Sequence, residues 1–351
     1  MHATTVIRLN MPAWLNNVLM GEADRYKSYR AGCSRPCRCS RSVLNDIGIF
    51  PSFTEELQLK IAICSKMDLA GCLALNRLLE GFAGRHEVFV MLSDYVLAAE
   101  KAEGLAATLV LHERDWILEH IFPYLDARFP EGSQARCLTY AGLAARYGVP
   151  MELRGAIRSP ASVQRMRELA PDLIISCRYD YIIPEAVFSI PALGTYGLHP
   201  GALPALQGLC SPYRAMERGD AQSGCTMFQL DAGLDTGPIV EIGWHDIAYD
   251  RSVLWNFVHT YFAGIEVLMH HLPELEAGRA LKATPQTGEG RQYYSYPTEE
   301  ELQAFMRKGG HLVLPGDYLE FLSQFLPDGM HDVHMPELEQ LVSSLESSLE
   351  S

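Results

Sequence analysis

The sequence predicts an α/β fold, in which a doubly wound and mostly parallel sheet has helices on both faces. From residue 59 onwards, short apolar runs of strand length alternate with segments of helical periodicity. The run at residues 172–177 is apolar along nearly its whole length, as is typical of a strand buried inside a parallel sheet. Such sheets bind ligands beyond the carboxyl ends of their strands, and the Tyr-rich segment 178–184 comes directly after this run.

The predicted elements come in a regular order. The first strand ends at Cys64, and no Gly-x-Gly-x-x-Gly comes after it, which argues against a dinucleotide site. Gly148 is suited to end one helix, and Ser159 or Ser162 to cap the next. Strands are predicted at Lys60–Cys64, Glu87–Leu92, Pro150–Leu153 and Asp172–Cys177, and helices at Cys72–Leu79, Arg114–Phe129, Leu138–Tyr147, Ser159–Leu169, Val253–Glu276, Pro297–Met306 and Pro315–Phe325.

Three regions are expected along the chain: an N-terminal extension over 1–58, a catalytic domain over 59–280, and a mainly helical or partly disordered extension over 281–351. Basic residues outnumber acidic ones before residue 46, and this part includes Cys33, Cys37 and Cys39. A metal site there would lack a fourth nearby ligand, so we expect none. An accessory leader and a targeting peptide both remain open.

The overall composition restricts the classes of function. The 351 residues carry a formal net charge of −14, which argues against a nucleic-acid partner that needs a broad basic surface. No apolar run reaches the length of a membrane span, so no membrane partner is expected. The nine cysteines are scattered and several lie in apolar runs, which favours reduced thiols in a cytoplasmic protein.

Two short, turn-rich segments hold the candidate catalytic residues. His199 begins the run His-Pro-Gly-Ala-Leu-Pro, and Asp235 lies in Leu-Asp-Thr-Gly. An imidazole near a reacting carbonyl, together with a carboxylate that orients it, is the pair that acyl transfer to an amine requires. Asp235 could instead only complete a turn through its own backbone contacts.

The run from Asp172 to Val240 resembles the catalytic core of the formyltransferase family, which includes methionyl-tRNA, glycinamide ribonucleotide and sugar N-formyltransferases. The resemblance covers a strand, the Tyr-rich loop with Ile-Ile-Pro, the His-Pro block, Gly208, Tyr213-Arg214-Ala215-Met216 and the Asp231–Ile239 segment. It implies 10-formyltetrahydrofolate as the donor, His199 and Asp235 as catalytic residues, and an amine as the acceptor. It also implies folate binding by Tyr179, Asp180, Tyr181, Ile182, Ile183, Asp231, Ala232 and Gly233.

The sequence departs from the family at one catalytic position. The family has an Asn two residues before its His, and its amide stabilises the oxyanion of the tetrahedral intermediate. Here that position is Gly197, which has no side-chain donor. Tyr196 or a water molecule could supply the missing hydrogen bond, and Gly197→Asn is expected to raise turnover if the donor limits the rate.

The sequence therefore favours transfer of a formyl group from 10-formyltetrahydrofolate to an amine of a small metabolite. Two alternatives are a weakened folate-binding or regulatory relative and a hydrolase of formyl-folate. The 71 residues after position 280 lack strand-like alternation, so the barrel domain of the methionyl-tRNA enzymes is not expected. A thiol nucleophile at Cys210 or Cys225 and a metal site at His270-His271 are disfavoured, because neither has partners at a suitable spacing. The oligomeric state stays open, with a homodimer as one option.

Overall fold

The computed structural model describes residues 57–98, 104–129 and 134–347. The described residues from 58 onwards belong to the second of two units of the chain, and this second unit contains the sheet and its helices. The predictions for the N-terminal extension, including those for Cys33, Cys37 and Cys39, lie outside the described residues.

A seven-stranded sheet organises the second unit. The strands are β1 (Lys60–Lys66), β2 (Glu87–Ser93), β3 (Met151–Leu153), β4 (Leu173–Cys177), β5 (Thr195–His199), β6 (Gln207–Gly208), β7 (Gln222–Gln229), β8 (Ile239–Asp246) and β9 (Tyr293–Tyr294), of which β6 and β9 form a separate pair. The order in the large sheet is β3-β2-β1-β4-β5-β7-β8. The first five of these strands pair in parallel, and β7 and β8 extend the sheet in antiparallel fashion. The strand order reverses direction between β1 and β4, which is where doubly wound sheets form their ligand crevice.

Helices cover both faces of the sheet. They are α1 (Leu69–Phe82), α2 (Leu105–Val110), α3 (Phe122–Arg128), α4 (Tyr140–Tyr147), α5 (Pro160–Leu169), α6 (Glu185–Phe188), α7 (Ser211–Arg218), α8 (Val253–Glu276), α9 (Glu299–Arg307), α10 (Pro315–Ser323) and α11 (His331–Ser347). On one face α1 and α8 pack together, and α8 also contacts β5, β7 and β8. On the other face, buried residues of β1, β2 and β4 pack against Met166 of α5 and Val187 of α6.

Local sequence signals set the helix ends. The Ser159 hydroxyl caps α5 by accepting the amide N–H of Ser162, so Ser159 and not Ser162 is the N-cap. Gly148 ends α4 in the left-handed conformation at φ 61°. The helix predicted from Arg114 begins earlier: α2 continues through two π-helical turns, Leu111–Asp115 and Ile117–Ile121, into α3.

The doubly wound, mostly parallel fold predicted from the sequence is confirmed. The C-terminal residues from 299 to 347 form three helices. No helix among the described residues is long and apolar enough to cross a membrane.

Candidate active site

A cavity of about 1050 Å³, partly open to solvent, lies beyond the carboxyl ends of β4 and β5. The parallel register pairs Ser176 with Gly197 and Cys177 with Leu198, so the loop after β4 and the end of β5 stand side by side. This is the position that the open parallel sheet predicts for a ligand. The lining includes His199 and Asp235, and the fold therefore brings the two candidate catalytic residues to one cavity.

The imidazole of His199 is held by a backbone carbonyl. His199 is buried at the end of β5, and its Nε2 lies 2.7 Å from the carbonyl oxygen of Leu206. A carbonyl only accepts hydrogen bonds, so Nε2 carries the proton and Nδ1 holds the lone pair of the neutral ring. The Ser211 hydroxyl, 3.4 Å from Nε2, also donates to the Leu206 carbonyl at 3.2 Å.

Asp235 faces the free nitrogen of this ring. Its Oδ2 lies 3.7 Å from Nδ1 of His199, which is within ion-pair range but too long for a hydrogen bond. The expectation that the carboxylate orients the imidazole is therefore corrected, because the Leu206 carbonyl does so.

The backbone holds the Asp235 carboxylate in place. Oδ2 of Asp235 accepts the Gly208 amide N–H at 3.1 Å. The backbone carbonyl of Asp235 accepts hydrogen bonds from the side-chain amides of Gln207 and Gln286. Gly208 has φ 93°, and a Cβ there would lie 2.2 Å from the Tyr294 carbonyl oxygen, so only glycine fits.

The carboxylate that completes the turn in this loop is that of Asp231, and not that of Asp235. Asp231 accepts the Gly233 amide at 3.0 Å and the Thr236 hydroxyl at 2.7 Å through Oδ1. This is an Asx turn, and it shapes the loop that presents Asp235. The Asp235 carboxylate reaches Gly208 and His199 instead, outside its own loop.

The space beside Gly197 is filled. Gly197 pairs with Phe228 of the antiparallel strand β7, and a Cβ at position 197 would lie 2.6 Å from the Phe228 ring and 3.0 Å from Leu230. An Asn side chain cannot enter this space unless the ring moves. On the other side of Gly197, its register partner Ser176 shares the same face of the sheet and lines the cavity.

Tyr196 does not belong to the oxyanion region, which corrects the expectation for this residue. Adjacent residues of a strand point to opposite faces, so Tyr196 faces away from Gly197 and His199. It is fully buried; its hydroxyl donates to the Leu193 carbonyl at 2.9 Å and accepts the Leu281 amide at 3.0 Å.

Most residues expected to bind folate line the cavity. Tyr179, Asp180, Tyr181, Ile182 and Ile183 form one wall, and Asp231 and Gly233 belong to the opposite loop. Ala232, between them in the chain, is exposed and is not part of the cavity lining, and folate binding by it stays a prediction. Further lining side chains were not predicted from the sequence: Ser176 and Leu234 adjoin the predicted segments, and Phe228, Phe257, Tyr261 and Tyr293 lie elsewhere in the chain.

The tyrosines of this wall are close together. The rings of Tyr179 and Tyr181 lie 5.8 Å apart, and Ile182 is 64% exposed beside them. The Tyr179 hydroxyl is buried and has no hydrogen-bond partner among the described residues. Burial raises the pKa of Tyr179, so this hydroxyl is neutral and can donate to a ligand.

A buried charged cluster lies where β1 and β4 end, and no local sequence pattern indicates it. Lys66 lies 2.7 Å from Asp180, and Arg178 lies 3.0 Å from Asp68 and 3.3 Å from Glu113. Burial lowers the pKa of Arg178, but these carboxylates outweigh it and the pKa is raised well above its ordinary value. Arg178 therefore stays charged within the cluster.

The remaining thiol and histidine hypotheses gain no support among the described residues. Burial raises the pKa of Cys64 and of Cys177 to about 12, and that of Cys225 also rises through burial. His271 pairs with Glu241 at 2.7 Å, yet no group of ligands suited to a metal occurs in the described part of the chain.

The fold and the site together define an α/β protein with a histidine–carboxylate pair at the carboxyl edge of its sheet. Residues 149–252 match the family model described as Formyl transferase. These residues therefore contain a formyl transferase domain, as the sequence motifs within them predicted.

Named relatives match beyond this domain. Methionyl-tRNA formyltransferase of Burkholderia vietnamiensis is 27% identical over 226 residues, which cover 62% of this chain and 69% of that protein. The enzyme of Xanthomonas campestris pv. campestris is 35% identical over 154 residues, covering 42% of this chain and 48% of that protein. The chain thus spans between about half and two thirds of the length of these curated relatives.

Among solved structures, glycinamide ribonucleotide transformylase 1 from Symbiobacterium toebii is similar at 17% identity. That match covers 66% of this chain and 100% of the other, with a TM-score of 0.44.

Proposed function

We propose that this protein transfers a formyl group from 10-formyltetrahydrofolate to an amine of a small metabolite. The observation that supports this most directly is the pair of His199 and Asp235, with Nδ1 and Oδ2 3.7 Å apart at the cavity inside the formyl transferase domain. The curated relatives, named methionyl-tRNA formyltransferases, agree with formyl transfer as the reaction class.

His199 is the proton carrier in this proposal. The amine nitrogen attacks the formyl carbon, and Nδ1 takes the proton that the nitrogen loses. Asp235 stabilises the resulting imidazolium across 3.7 Å. Nδ1 then gives the proton to N10 of the folate as the carbon–N10 bond breaks. The products are the N-formyl amine and tetrahydrofolate.

The oxyanion of the tetrahedral intermediate needs a hydrogen-bond donor that Gly197 lacks. The Ser176 hydroxyl is the nearest candidate by register, since it stands beside Gly197 on the same face and lines the cavity. In this proposal Ser176 and the protonated ring of His199 take the place of the missing Asn. A single donor of this kind lowers the barrier by about 3 kcal/mol.

The wall from Tyr179 to Ile183 suits the flat ring system of a folate. Two tyrosine rings and two isoleucines supply apolar contact, and the unpartnered Tyr179 hydroxyl supplies a donor. Asp231 and Gly233 offer polar groups from the opposite loop. The folate would thus lie between the loop after β4 and the loop before β8, with its formyl group towards His199.

A small acceptor is favoured over tRNA by charge. The net charge of −14 opposes a phosphate-rich partner. A formyl-folate hydrolase remains the second candidate, because the filled space beside Gly197 alters the site where the acyl group reacts.

One assay separates these functions. Purified full-length protein is incubated with 10-formyltetrahydrofolate, with and without candidate amines, and tetrahydrofolate release is followed. Release that depends on the amine supports the transferase, and release without an amine supports the hydrolase. Folate binding without any release would contradict both and leave a binding protein.

A further inference from the structure

A second cavity adjoins the candidate active site. Its empty space, which includes open solvent, is about 620 Å³. Much of its wall comes from outside residues 149–252: Leu109 and Glu113 lie in the helical stretch from α2, Val253 and Leu254 begin α8, and Leu302 lies in α9. These elements therefore add a compartment to the formyl transferase domain.

The two cavities share a wall. Arg178, Asp180, Leu209, Cys210 and Phe257 line both of them. Leu209 and Cys210 come directly after Gly208, whose amide holds the Asp235 carboxylate. A molecule in the second cavity therefore needs to extend only past this wall to reach the catalytic pair.

The second cavity is apolar except at one end. The apolar and aromatic part consists of side chains from five segments of the chain: Leu97, Leu109, Leu209, Tyr213, Val253, Leu254, Phe257, Tyr296, Pro297 and Leu302. The charged side chains in its lining are Glu113, Arg178 and Asp180, all at the end next to the active site. Such a lining suits an aliphatic or aromatic body with one polar terminus.

The charge at that end discriminates between ligands. Arg178 is engaged by Asp68, Glu113 and Asp180, and Lys66 is engaged by Asp180. Among the described residues of this cluster, two cations thus face three carboxylates. No other lysine or arginine of the described residues lines the cavity. A phosphate would be repelled there, whereas an ammonium group would be attracted.

We propose that the second cavity binds the body of the amine acceptor, and that this acceptor is a primary amine on an apolar or aromatic group without phosphate. The inference rests on the proposed formyl transfer for its role and on the cavity itself for its chemistry. The ammonium end lies towards Asp180 and Glu113, and Asp180 positions the nitrogen at the boundary between the cavities.

Direct binding tests the chemistry independently of turnover. Full-length protein saturated with tetrahydrofolate is titrated by calorimetry with phenethylamine, 2-phenylethanol and phosphoethanolamine. We expect phenethylamine to bind at least about tenfold more tightly than either of the others. Equal binding of phenethylamine and 2-phenylethanol would overturn the role of the carboxylates, and preferred binding of phosphoethanolamine would overturn the acceptor class.

A filling substitution tests the location. Leu109→Trp places a larger ring in the half-buried wall, and we expect it to weaken phenethylamine binding at least about tenfold while tetrahydrofolate binding is kept. Met306→Trp is the matched control, because Met306 is 41% exposed on α9 and lies outside the lining. Unchanged phenethylamine binding in Leu109→Trp would place the amine elsewhere and overturn the proposal.

The two proposals can fail separately. Phenethylamine binding that Leu109→Trp weakens, without tetrahydrofolate release from 10-formyltetrahydrofolate, would retain the cavity and remove formyl transfer to this amine. Release driven by phosphorylated amines, and unaffected by Leu109→Trp, would retain formyl transfer and overturn the second cavity as the acceptor site.

Discussion

Phe228 occupies the space that a side chain at position 197 would need. A Cβ on Gly197 would lie 2.6 Å from the edge of the Phe228 ring, closer than side-chain carbons approach one another. The two residues are direct partners in the antiparallel pairing of β5 and β7. The missing side-chain amide at position 197 and the aromatic ring at position 228 are therefore linked, because the ring fills the space that the amide would need.

This relationship reverses the expectation that Gly197→Asn raises turnover. We expect the single substitution to lower stability by about 1–3 kcal/mol, because it overpacks a buried site. Turnover should not rise, because the ring keeps the amide out of position. Chemical denaturation and steady-state kinetics of tetrahydrofolate release measure the two effects.

The double variant with Gly197→Asn and Phe228→Ala tests whether an amide at position 197 acts once the ring is removed. Removing the ring makes room for the amide, so we expect a higher kcat than in Phe228→Ala alone. A double variant no faster than Phe228→Ala would show that a donor at position 197 has no role in this chain.

Ser176→Ala tests the replacement donor. We expect kcat to fall by about 10²–10³ with little change in KM, since an oxyanion donor acts mainly in the transition state. Ser223→Ala is the control, because the Ser223 hydroxyl is also buried in the sheet but does not line the cavity. A kcat that is equal in the two variants would remove Ser176 from catalysis.

His199→Ala and Asp235→Asn test the proton carrier. We expect His199→Ala to abolish turnover with the fold intact, as judged by circular dichroism. Asp235→Asn keeps an oxygen for the Gly208 amide but loses the charge, so we expect kcat to fall by about 10²–10⁴ with folate affinity nearly unchanged. Activity that survives either change would exclude the pair from the mechanism.

Arg178→Met tests the buried charged cluster. The substitution leaves the carboxylates of Asp68 and Glu113 buried without their shared partner, and we expect a loss of about 3–5 kcal/mol in the free energy of unfolding. Arg167→Met on the exposed side of α5 should change stability by about 0.5 kcal/mol or less. Urea denaturation compares them, and equal stabilities would show that the cluster contributes no net pairing energy.

Cysteine reactivity reports on the wall between the cavities. The half-buried Cys210 should react with iodoacetamide at pH 8 well before Cys64 and Cys177, because burial raises the pKa of each of those two thiols to about 12. Peptide mass spectrometry follows each thiol separately. Phenethylamine should slow alkylation of Cys210, and Cys64 labelled first would contradict the burial of the sheet.

The features readable from the sequence are those that depend on local pattern. The alternation of apolar runs and helical periodicity was sufficient to predict the parallel sheet. The motifs around His199, Asp235 and Tyr179 were sufficient to select residues that line one cavity in the structure. Each of these signals lies within a few consecutive residues. The predicted bounds of the long α8 also agree with the structure.

The features that the sequence could not show depend on contacts between distant segments. Lys66 meets Asp180 across 114 positions, and no pattern within either segment indicates this pair. The position of the Phe228 ring beside Gly197 depends on the register of the antiparallel strands β5 and β7. Tyr196 is not available as an oxyanion donor because its hydroxyl bonds Leu193 and the distant Leu281, a contact that the sequence does not indicate.

The carbonyl of Leu206 fixes how the imidazole of His199 can be used. With Nε2 tied to the main chain, the ring cannot swing towards different partners during a reaction cycle. The reacting group of any substrate must therefore approach the fixed Nδ1 atom of His199. The choice of molecule therefore belongs to the surrounding walls, and exchanging those walls should redirect the chemistry to new compounds without any change to the histidine.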